Sequence, residues 1–526
     1  MDPVAVRLPG IPPLRSAIVA GRDRTDRILL GAVVGIAVVG GIALRFFPMT
    51  PLWLDEAQSA AIASEGPAGL VEALRHDGHP PLYYLLLMGW SSIFGDSGAA
   101  LRALSGVLGV VAIGLTWLVG RRHLDGRGTA GAVAVMAASP FAIRYGTEVR
   151  MYSLLLVLLL AGHLVLVAAW RRSELRRLGG VAAVTAALLF THYWSLFLVV
   201  VVVVLLAGVA LRGSVPARRS ARRMLGAVAL GAAPFVAWLP ILVGQVAHTG
   251  TPWASAPRPT VVVALTLEAF GGGKGSEALL VAVATSVLVA WGIGSRSDDD
   301  AARLGWTDLP WLRAAALVGG ATMVVGASLS LALDSAFQGR YAMYCFVPVV
   351  LAAAVGVGRL PGRAGPWALA VLVLLSGVSV ARELTRDRTQ VGVISEAVVS
   401  MAMVGDHVVF CPDQLAPAGH RLLGGRFPTA AYPALDDGRK VDWYDYEVRN
   451  RAADPSEVAD LIVAWSDGAN HLWLVWIDGF STLDGQCGIL RTELGKRLGG
   501  GSTLVGADGD EYYNPANLVR FPGPGR

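Results

Sequence analysis

Two adjacent carboxylates stand near the start of the chain in WLDEAQS, residues 53–59, shortly after a long apolar run ends at RFFPMTP. A charge beside a bilayer is costly unless the protein uses it. Asp55 could act as a general base that takes the proton of an acceptor hydroxyl, and Glu56 could orient it or bind the acceptor. The alternative is that Asp55 caps a short interfacial helix, because Asp is a favoured N-cap residue.

Further polar side chains stand at the ends of apolar runs, where an arginine fork or a ring N–H could hold a phosphate. Arg150 and Arg340 each open an apolar run, and His79 precedes two prolines in RHDGHPPL. Membrane anchoring is the alternative for the arginines, and a loop histidine satisfied by backbone is the alternative for His79. Lys274 lies in EAFGGGKGSEA, which lacks the spacing of a nucleotide-phosphate loop and is expected to be a mobile loop that could close over a donor.

A second group of residues is assigned to substrate binding. Glu148 stands two residues before the first of these arginines, with which it could simply pair, and Tyr341 directly follows the second. His192 and Tyr193 belong to THYWS, whose aromatic residues an interfacial belt would also explain.

Metal and cofactor chemistry has no clear signal in this sequence. No cluster of His and Cys has the spacing of metal ligands. Asp55 or Glu56 could hold a divalent cation, but no such ion is indicated, and no cofactor or metal is assigned.

The elements that must position these residues are membrane helices. The 526-residue chain is 54% hydrophobic and only 16% charged, which is typical of a membrane protein. Apolar runs of about the length that crosses a bilayer recur along the first part of the chain. We count eleven of them, at residues 28–46, 101–119, 129–143, 151–170, 179–193, 195–211, 225–243, 277–293, 310–333, 341–357 and 364–381.

The net charge of +5 arises mostly from arginines in the short loops between runs, so it calls for no nucleic-acid partner.

The arginine clusters predict the topology. They fall on one side of the membrane if the runs alternate, and the positive-inside rule makes that side cytoplasmic. The segment 80–94, PPLYYLLLMGWSSIF, would break the alternation as a span and is interpreted as a re-entrant or interfacial helix. We therefore predict an integral plasma (inner) membrane protein with a cytoplasmic N-terminal segment 1–27, a transmembrane domain 28–381 and an external loop 48–100 that carries WLDEAQS.

Residues 382–526 have the pattern of a small α/β domain on the external side. HVVFC (407–411) and HLWLVWI (471–477) are typical of buried strands, and PSEVADLIVAW (455–465) of an amphipathic helix. Cys411 and Cys487 lie in this domain, where a disulfide could persist, but their spacing fits two separate buried thiols as well. The predicted fold class is an all-α polytopic membrane protein of about eleven transmembrane helices with a C-terminal extracytoplasmic α/β domain.

The order LWLDEAQSA, RHDGHPPLYYLLLMGW, ALRALSG, YGTEVRMYSLLL, THYW and QGRYAMYCFVP resembles the membrane core of GT-C glycosyltransferases. It is most similar to the family that contains protein O-mannosyltransferases and lipid A aminoarabinose transferases, over residues 28–357. The resemblance implies transfer of a sugar from a polyprenyl-phosphate carrier to an acceptor on the external face, with Asp55 as the catalytic aspartate. Related enzymes often carry a lysine at the position of His79, so this chain departs from one branch of the family there.

The expected partners are a polyprenyl-phosphate sugar donor, membrane lipids, and a glycan, lipid or protein of the cell envelope as acceptor. A transporter or flippase of lipid-linked glycans is an alternative function. Such proteins usually show inverted repeats and polar groups near mid-membrane, whereas the titratable residues here gather at one face. A scaffold that binds a lipid-linked glycan without chemistry would not need the acidic pair.

Overall fold

The protein is described here by a computed structural model that covers residues 14–47, 50–250, 258–298, 301–480 and 482–524. Part of the predicted N-terminal segment, residues 1–13, lies outside the described residues. From Leu14 onward the chain is helical, so the first membrane helix begins before its apolar run does.

Helices form nearly all of the N-terminal two thirds of the described chain. In chain order they are α1 (Leu14–Leu44), α2 (Leu54–Ser64), α3 (Gly66–Arg75), α4 (Leu82–Phe94), α5 (Gly98–His123), α6 (Gly126–Ala138), α7 (Pro140–Gly146), α8 (Tyr152–Arg171), α9 (Leu175–Leu189), α10 (Ser195–Arg212), α11 (Val215–Ala232), α12 (Leu239–His248), α13 (Pro259–Gly271), α14 (Ser276–Gly294), α15 (Pro310–Ala332), α16 (Met343–Arg359) and α17 (Ala364–Thr385). Short 3₁₀ turns at Ala233–Trp238 and Gly339–Ala342 lead into α12 and α16.

Among the described residues, 9 helical segments are long and apolar enough to cross a membrane. The predicted count of eleven is not confirmed, because the runs 129–143 and 179–193 give shorter helices. The first run is divided at Ser139, whose hydroxyl oxygen accepts from the Ala142 N–H at 3.4 Å and so starts α7 with Pro140 in its first turn. The second run forms the 15-residue α9.

The predicted external loop 48–100 is itself largely helical. It contains α2, α3 and the 13-residue α4, which follows Pro80 and Pro81 and is shorter than a span. Tyr83 and Tyr84 of α4 are buried beneath α2, and α2 also packs against a helix of the C-terminal region, α19 (Ala416–Leu423). The loop thus forms a packed layer between the membrane helices and that region.

The C-terminal region adds α18 (Val391–Met401), α19 (Ala416–Leu423), α20 (Tyr446–Ala452), α21 (Pro455–Trp465) and α22 (Gln486–Leu498) to a five-stranded sheet. Its strands are β3 (His407–Cys411), β4 (Thr429–Ala431), β5 (His471–Trp476), β6 (Ser502–Val505) and β7 (Asn517–Pro522), in the order β4-β3-β5-β7-β6. Strand β3 is parallel to β4 and β5, whereas β7 is antiparallel to β5 and β6. A separate hairpin, β1 (Ser295–Asp298) and β2 (Ala301–Leu304), follows α14.

The predicted elements of this region are confirmed. HVVFC is β3, HLWLVW is β5, and PSEVADLIVAW is α21. Their interior residues are buried in the core between the sheet and its helices. Cys411 and Cys487 form a disulfide that joins the end of β3 to the start of α22, with the two Cα atoms 5.5 Å apart.

Candidate active site

Asp55 lies between two arginines that come from distant parts of the chain. One Asp55 carboxylate oxygen, Oδ2, accepts a hydrogen bond of 2.6 Å from Arg340 Nη1 and lies 4.0 Å from Arg150 Nε. Helix α2 begins at Leu54, and the residue in the N-cap position is Trp53. The alternative that Asp55 is the N-cap is therefore wrong, and its side chain is used for the contact with arginine.

The two guanidinium groups set the charge of Asp55. Burial disfavours the ionised carboxyl, but the positive charges of Arg150 and Arg340 outweigh it and hold the pKa of Asp55 below its usual value. The N-terminus of α2 also favours a negative charge at this position. An ionised carboxylate that is paired with two guanidinium groups is a weak base. It becomes a stronger base when another anion binds these guanidinium groups in its place.

His79 orients one of these arginines. His79 Nδ1 lies 2.7 Å from Asp77 Oδ2, and His79 Nε2 lies 3.0 Å from Arg150 Nη2. Because a guanidinium can only donate, Nε2 accepts from Arg150 and the Nδ1–H donates to Asp77. Both ring nitrogens therefore form hydrogen bonds. His79 holds the Arg150 side chain in place, and it has no free N–H to donate to a phosphate.

Glu56 has a structural environment. Its side chain is completely buried, and Arg102 binds it with two hydrogen bonds, Nη2 to Oε2 at 2.6 Å and Nε to Oε1 at 2.8 Å. The backbone N–H groups of Val149 and Trp53 donate to the same carboxylate at 3.0 and 3.4 Å. These bonds fix α2 to the start of α5 and to the segment before α8. The predicted catalytic role does not fit this environment, because the carboxylate is enclosed and used by the protein itself.

Glu148 faces the C-terminal region. Its Oε1 accepts from the Trp53 indole N–H at 3.2 Å and lies 3.7 Å from Arg388 Nη1. The pairing with Arg150 that the sequence suggested is replaced by this contact with Arg388, which only the folded chain brings close. Glu148 is 2% exposed, so it supports the site from behind and is not open to a substrate in this arrangement.

His192 and Tyr341 form an aromatic wall beside Arg340. The His192 ring centroid lies 5.6 Å from that of Tyr341 and 6.1 Å from that of Tyr344. Tyr341 stacks on Trp194 with a centroid distance of 4.7 Å. Burial holds the pKa of His192 well below its usual value, so the ring is neutral.

The other two predicted residues lie apart from Asp55. The Tyr193 hydroxyl donates to Gln245 and accepts from the Trp238 indole N–H at 3.0 Å. Gln245 Nε2 lies 3.5 Å from the His79 carbonyl oxygen, so Tyr193 is connected to the site indirectly, through Gln245. Lys274 is exposed in the turn after α13, where Gly272 has a φ of +96° and approaches Pro140 closely. The structure therefore brings Asp55, His79, Arg150, Arg340, His192 and Tyr341 together, and does not bring Tyr193 or Lys274 to them.

Three residues of the site were missed from the sequence: Asp77, Arg102 and Arg388. Arg102 carried a signal, because it stands at the outer end of a span, against the charge trend, as Arg150 and Arg340 do. Asp77 lies two residues before His79 and could have been proposed as its partner. Nothing in the sequence indicated Arg388 as a site residue, because it lies only a few residues after the last span and its partner, Glu148, is 240 positions away.

Several buried polar atoms around Asp55 lack hydrogen-bond partners. In the described part of the chain they include Arg150 Nε, Arg340 Nε, Arg388 Nη1 and Glu148 Oε2. Leaving such a group unpaired is costly, so the unused Nε–H groups of Arg150 and Arg340 fit a site for an anion, whereas Arg388 Nη1 faces the Glu148 carboxylate at 3.7 Å. No group of three or more His, Cys, Asp or Glu side chains within the described residues is arranged to hold a metal ion.

An apolar cavity of about 240 Å³ lies within the helix bundle. It is lined by residues of α8, α9, α10, α11, α15 and α16. Tyr344, one helical turn after Arg340, is part of its wall, and the Tyr344 hydroxyl is 2.9 Å from Ser195 Oγ. The cavity could accept part of a hydrocarbon chain.

Comparison with known proteins gives one sequence match and several structural ones. Residues 78–240 match the model of the dolichyl-phosphate-mannose-protein mannosyltransferase family. No curated protein matches the chain in sequence.

The matching solved structures share the fold at low sequence identity. ArnT from Cupriavidus metallidurans in the apo state has a TM-score of 0.60 and 13% identity, over 96% of this chain and 98% of that chain. The same protein bound to undecaprenyl phosphate has a TM-score of 0.58 and 14% identity, over 93% and 97%. Arabinofuranosyltransferase AftD from Mycobacteria has a TM-score of 0.56 and 14% identity, over 93% of this chain but only 40% of that chain. The chain therefore has an ArnT-like GT-C fold, and the resemblance to GT-C glycosyltransferases predicted from its motifs is confirmed.

Proposed function

We propose that the chain is an integral membrane glycosyltransferase, which moves a sugar from a polyprenyl-phosphate carrier to an acceptor on the external face of the membrane. The observation that carries this proposal is the position of Asp55 between Arg150 and Arg340, whose Nε atoms are buried and have no hydrogen-bond partner. One carboxylate and two arginine forks are the parts that displacement of a sugar from a phosphate requires. The carrier is supported by the undecaprenyl phosphate of the ArnT structure and by the name of the matching family.

The donor phosphate would replace Asp55 as the ionic partner of Arg150 and Arg340. Arg340 and Arg150 donate to a phosphate bidentately more readily than to a single carboxylate oxygen. When the donor binds, Asp55 loses its contacts with the two arginines, and its carboxylate becomes a stronger base. The carrier chain would occupy the apolar cavity that reaches Tyr344.

The transfer step then needs only groups already at the site. The acceptor oxygen attacks C1 of the sugar while Asp55 takes its proton, and the bond between C1 and the phosphate oxygen breaks. Arg150 and Arg340 hold the negative charge that develops on the leaving phosphate. His79 keeps Arg150 in place, and Glu56 keeps α2 in place through Arg102. The aromatic wall of His192 and Tyr341 is the proposed contact for the sugar.

We also propose the classes of donor sugar and acceptor, the further substrate contacts and the domain limits. The donor sugar is a hexose or a pentose, and the acceptor is a glycan, lipid or protein of the envelope. Lys274 stays a candidate for substrate contact if the turn after α13 moves toward the site. Tyr193, which lies between α9 and α10, stays a candidate if its hydroxyl is released from Gln245 and Trp238. The domain limits 1–27, 28–381 and 382–526 are proposed from the sequence pattern.

We propose that the N-terminus is cytoplasmic and that residues 382–526 are extracytoplasmic. The arginine clusters at one end of the spans support this orientation through the positive-inside rule. The disulfide between Cys411 and Cys487 supports it too, because disulfides persist in oxidising compartments.

The test uses the full chain in detergent and a panel of undecaprenyl-phosphate-linked mannose, arabinofuranose and aminoarabinose, with crude envelope glycan, lipid and protein as acceptors. Transfer should occur with one donor, and Asp55→Asn should lower the rate about 10²–10⁴-fold while undecaprenyl phosphate still binds. Asp96→Asn changes an exposed carboxyl of the same loop and should transfer normally. Movement of intact donor across vesicles without any transfer would favour a flippase instead. Normal transfer by Asp55→Asn would remove Asp55 from the mechanism.

A further inference from the structure

A segment of the C-terminal region lies across the loop that carries the active site. We call residues 440–445 the strap. Its Val441 N–H donates to Gln58 Oε1 at 2.9 Å, and the Val441 carbonyl accepts from Gln58 Nε2 at 2.9 Å. Gln58 belongs to α2, one turn after Asp55, and is 4% exposed. The strap therefore contacts the helix that bears the proposed base.

Ion pairs and backbone bonds hold the strap on both sides of Val441. His76 Nδ1 lies 2.7 Å from Asp442 Oδ1, and the Trp443 N–H donates to the His76 carbonyl at 3.0 Å. His248 Nδ1 lies 2.8 Å from Asp445 Oδ1 at the other end. Lys440 forms an ion pair with Glu65, and the Tyr444 ring stacks on that of His248 with centroids 4.3 Å apart. These contacts attach the strap to the end of α2 through Glu65, to the loop before α4 through His76, and to the end of α12 through His248.

The strap determines which way the Gln58 amide points. The Val441 N–H requires an acceptor, so the amide oxygen must face it and the NH₂ group must face the Val441 carbonyl and Asp77. Gln58 Nε2 is 3.2 Å from Asp77 Oδ1. The other Asp77 oxygen accepts from Tyr84 at 3.0 Å and from His79. An inverted amide would place its oxygen against a buried carboxylate.

Gln58 is thereby the first member of a chain of hydrogen bonds that ends at the arginine beside Asp55. Asp77 receives the amide and fixes the His79 ring with its Nδ1–H toward Asp77. His79 Nε2 then accepts from Arg150 Nη2, and Arg150 Nε lies 4.0 Å from Asp55. Each bond sets the direction of the next, because each group has one orientation that satisfies both neighbours.

We propose that Gln58 is a positioning residue for sugar transfer, and that the strap controls it by fixing its amide. This inference rests on the proposed function. The C-terminal region then contributes to catalysis without touching donor or acceptor. Loss of the amide leaves Asp77 held through one oxygen only, by Tyr84 and His79, so the carboxylate can shift and carry His79 and Arg150 with it. Small misplacements of a catalytic group are costly in rate.

The test compares Gln58→Met, which keeps the length of the side chain, with Gln390→Met. Gln390 is a buried glutamine of the C-terminal region whose amide also bonds backbone groups, at Gly506 and Asp508. Single-turnover transfer should fall on the order of tenfold in Gln58→Met only, with similar melting temperatures for both variants and binding of undecaprenyl phosphate within about twofold. Gln58→Glu, which keeps an acceptor for Val441 but loses the donor to Asp77, should be slow as well.

A double-mutant cycle separates positioning from general loosening of the fold. Asp442→Ala weakens the strap and should slow transfer in the unmodified chain, but should have little further effect in Gln58→Met, because both act through the same amide. Additive effects, or a normal rate in Gln58→Met, would overturn the inference. If the unmodified chain transfers no sugar, the proposed function itself fails. If it transfers sugar and Asp55→Asn does not, a normal Gln58→Met refutes the positioning role alone.

Discussion

Replacement of Glu56 by Gln decides whether the second carboxylate of WLDEAQS is structural. Glu56 is fully buried, and the side chain of Arg102 that it pairs with is 4% exposed. Gln is nearly the same shape, but it removes the charge and offers an N–H where donors already point. Breaking one partner of a buried ion pair leaves the other charge uncompensated, at a cost of about 3–5 kcal/mol. We expect Glu56→Gln to be destabilised by about that amount, which for a chain of 526 residues corresponds to a fall of roughly 3–5 °C in melting temperature.

The assay is thermal unfolding of the full chain in one detergent, followed by transfer measured well below the melting temperature. Glu72→Gln is the matched control, because Glu72 pairs with Arg75 on an exposed surface of α3 and should contribute less than about 1 kcal/mol. A double variant, Glu56→Met with Arg102→Met, should be more stable than Glu56→Met alone, since it leaves no unpaired charge. If Glu56→Gln melts like the unmodified chain yet transfers no sugar, our assignment is refuted, and Glu56 takes part in the chemistry.

Three further predictions concern the phosphate site, the C-terminal region and the topology. Arg340→Lys keeps the charge but loses the fork, so it should transfer at least about tenfold more slowly and bind undecaprenyl phosphate more weakly; normal binding and transfer in Arg340→Ala would make this residue a membrane anchor. Burial raises the pKa of Asp413 to about 7, so the folded state keeps a proton that the unfolded state releases, and stability falls as the pH rises from about 4 to about 7. Asp413→Asn should therefore melt several degrees higher than the unmodified chain at about pH 8 and nearly equally at about pH 4; an equal difference at both values would contradict this. Cysteines introduced at the exposed Ser214 and Ser502 should differ in intact cells, with only the second reacting with a membrane-impermeant thiol reagent, and the reverse pattern would invert the orientation.

Local patterns in the sequence were sufficient for the elements and for the class of protein. Among the described residues, hydropathy located approximately each helix that is long and apolar enough to cross a membrane, because crossing a bilayer needs about 20 apolar residues. Short continuous apolar runs, typical of buried strands, located β3 and β5. The same reasoning failed at residues 129–143, where Ser139 and Pro140 end one helix and begin another inside a single apolar run.

The residue types of the site could also be selected from the sequence. Charged residues at the ends of membrane spans are rare and cost free energy. Asp55, Arg150 and Arg340 could therefore be identified from the sequence as candidate site residues. Their spacing along the chain says nothing about which atoms meet. Arg340 donates to a carboxylate 285 positions away, and that contact depends on how the 3₁₀ turn before α16 lies beside the start of α2.

Tertiary structure alone decided the roles within the site. Two neighbouring carboxylates have opposite surroundings, because successive residues of a helix point about 100° apart: Asp55 faces the arginines of the site, and Glu56 faces the interior and Arg102. The bond between Gln58 and Val441 spans 383 positions, and it joins regions that have no pattern in common. Hydropathy and periodicity are properties of neighbouring residues, whereas these contacts follow from the packing of helices and strands that are distant in the chain.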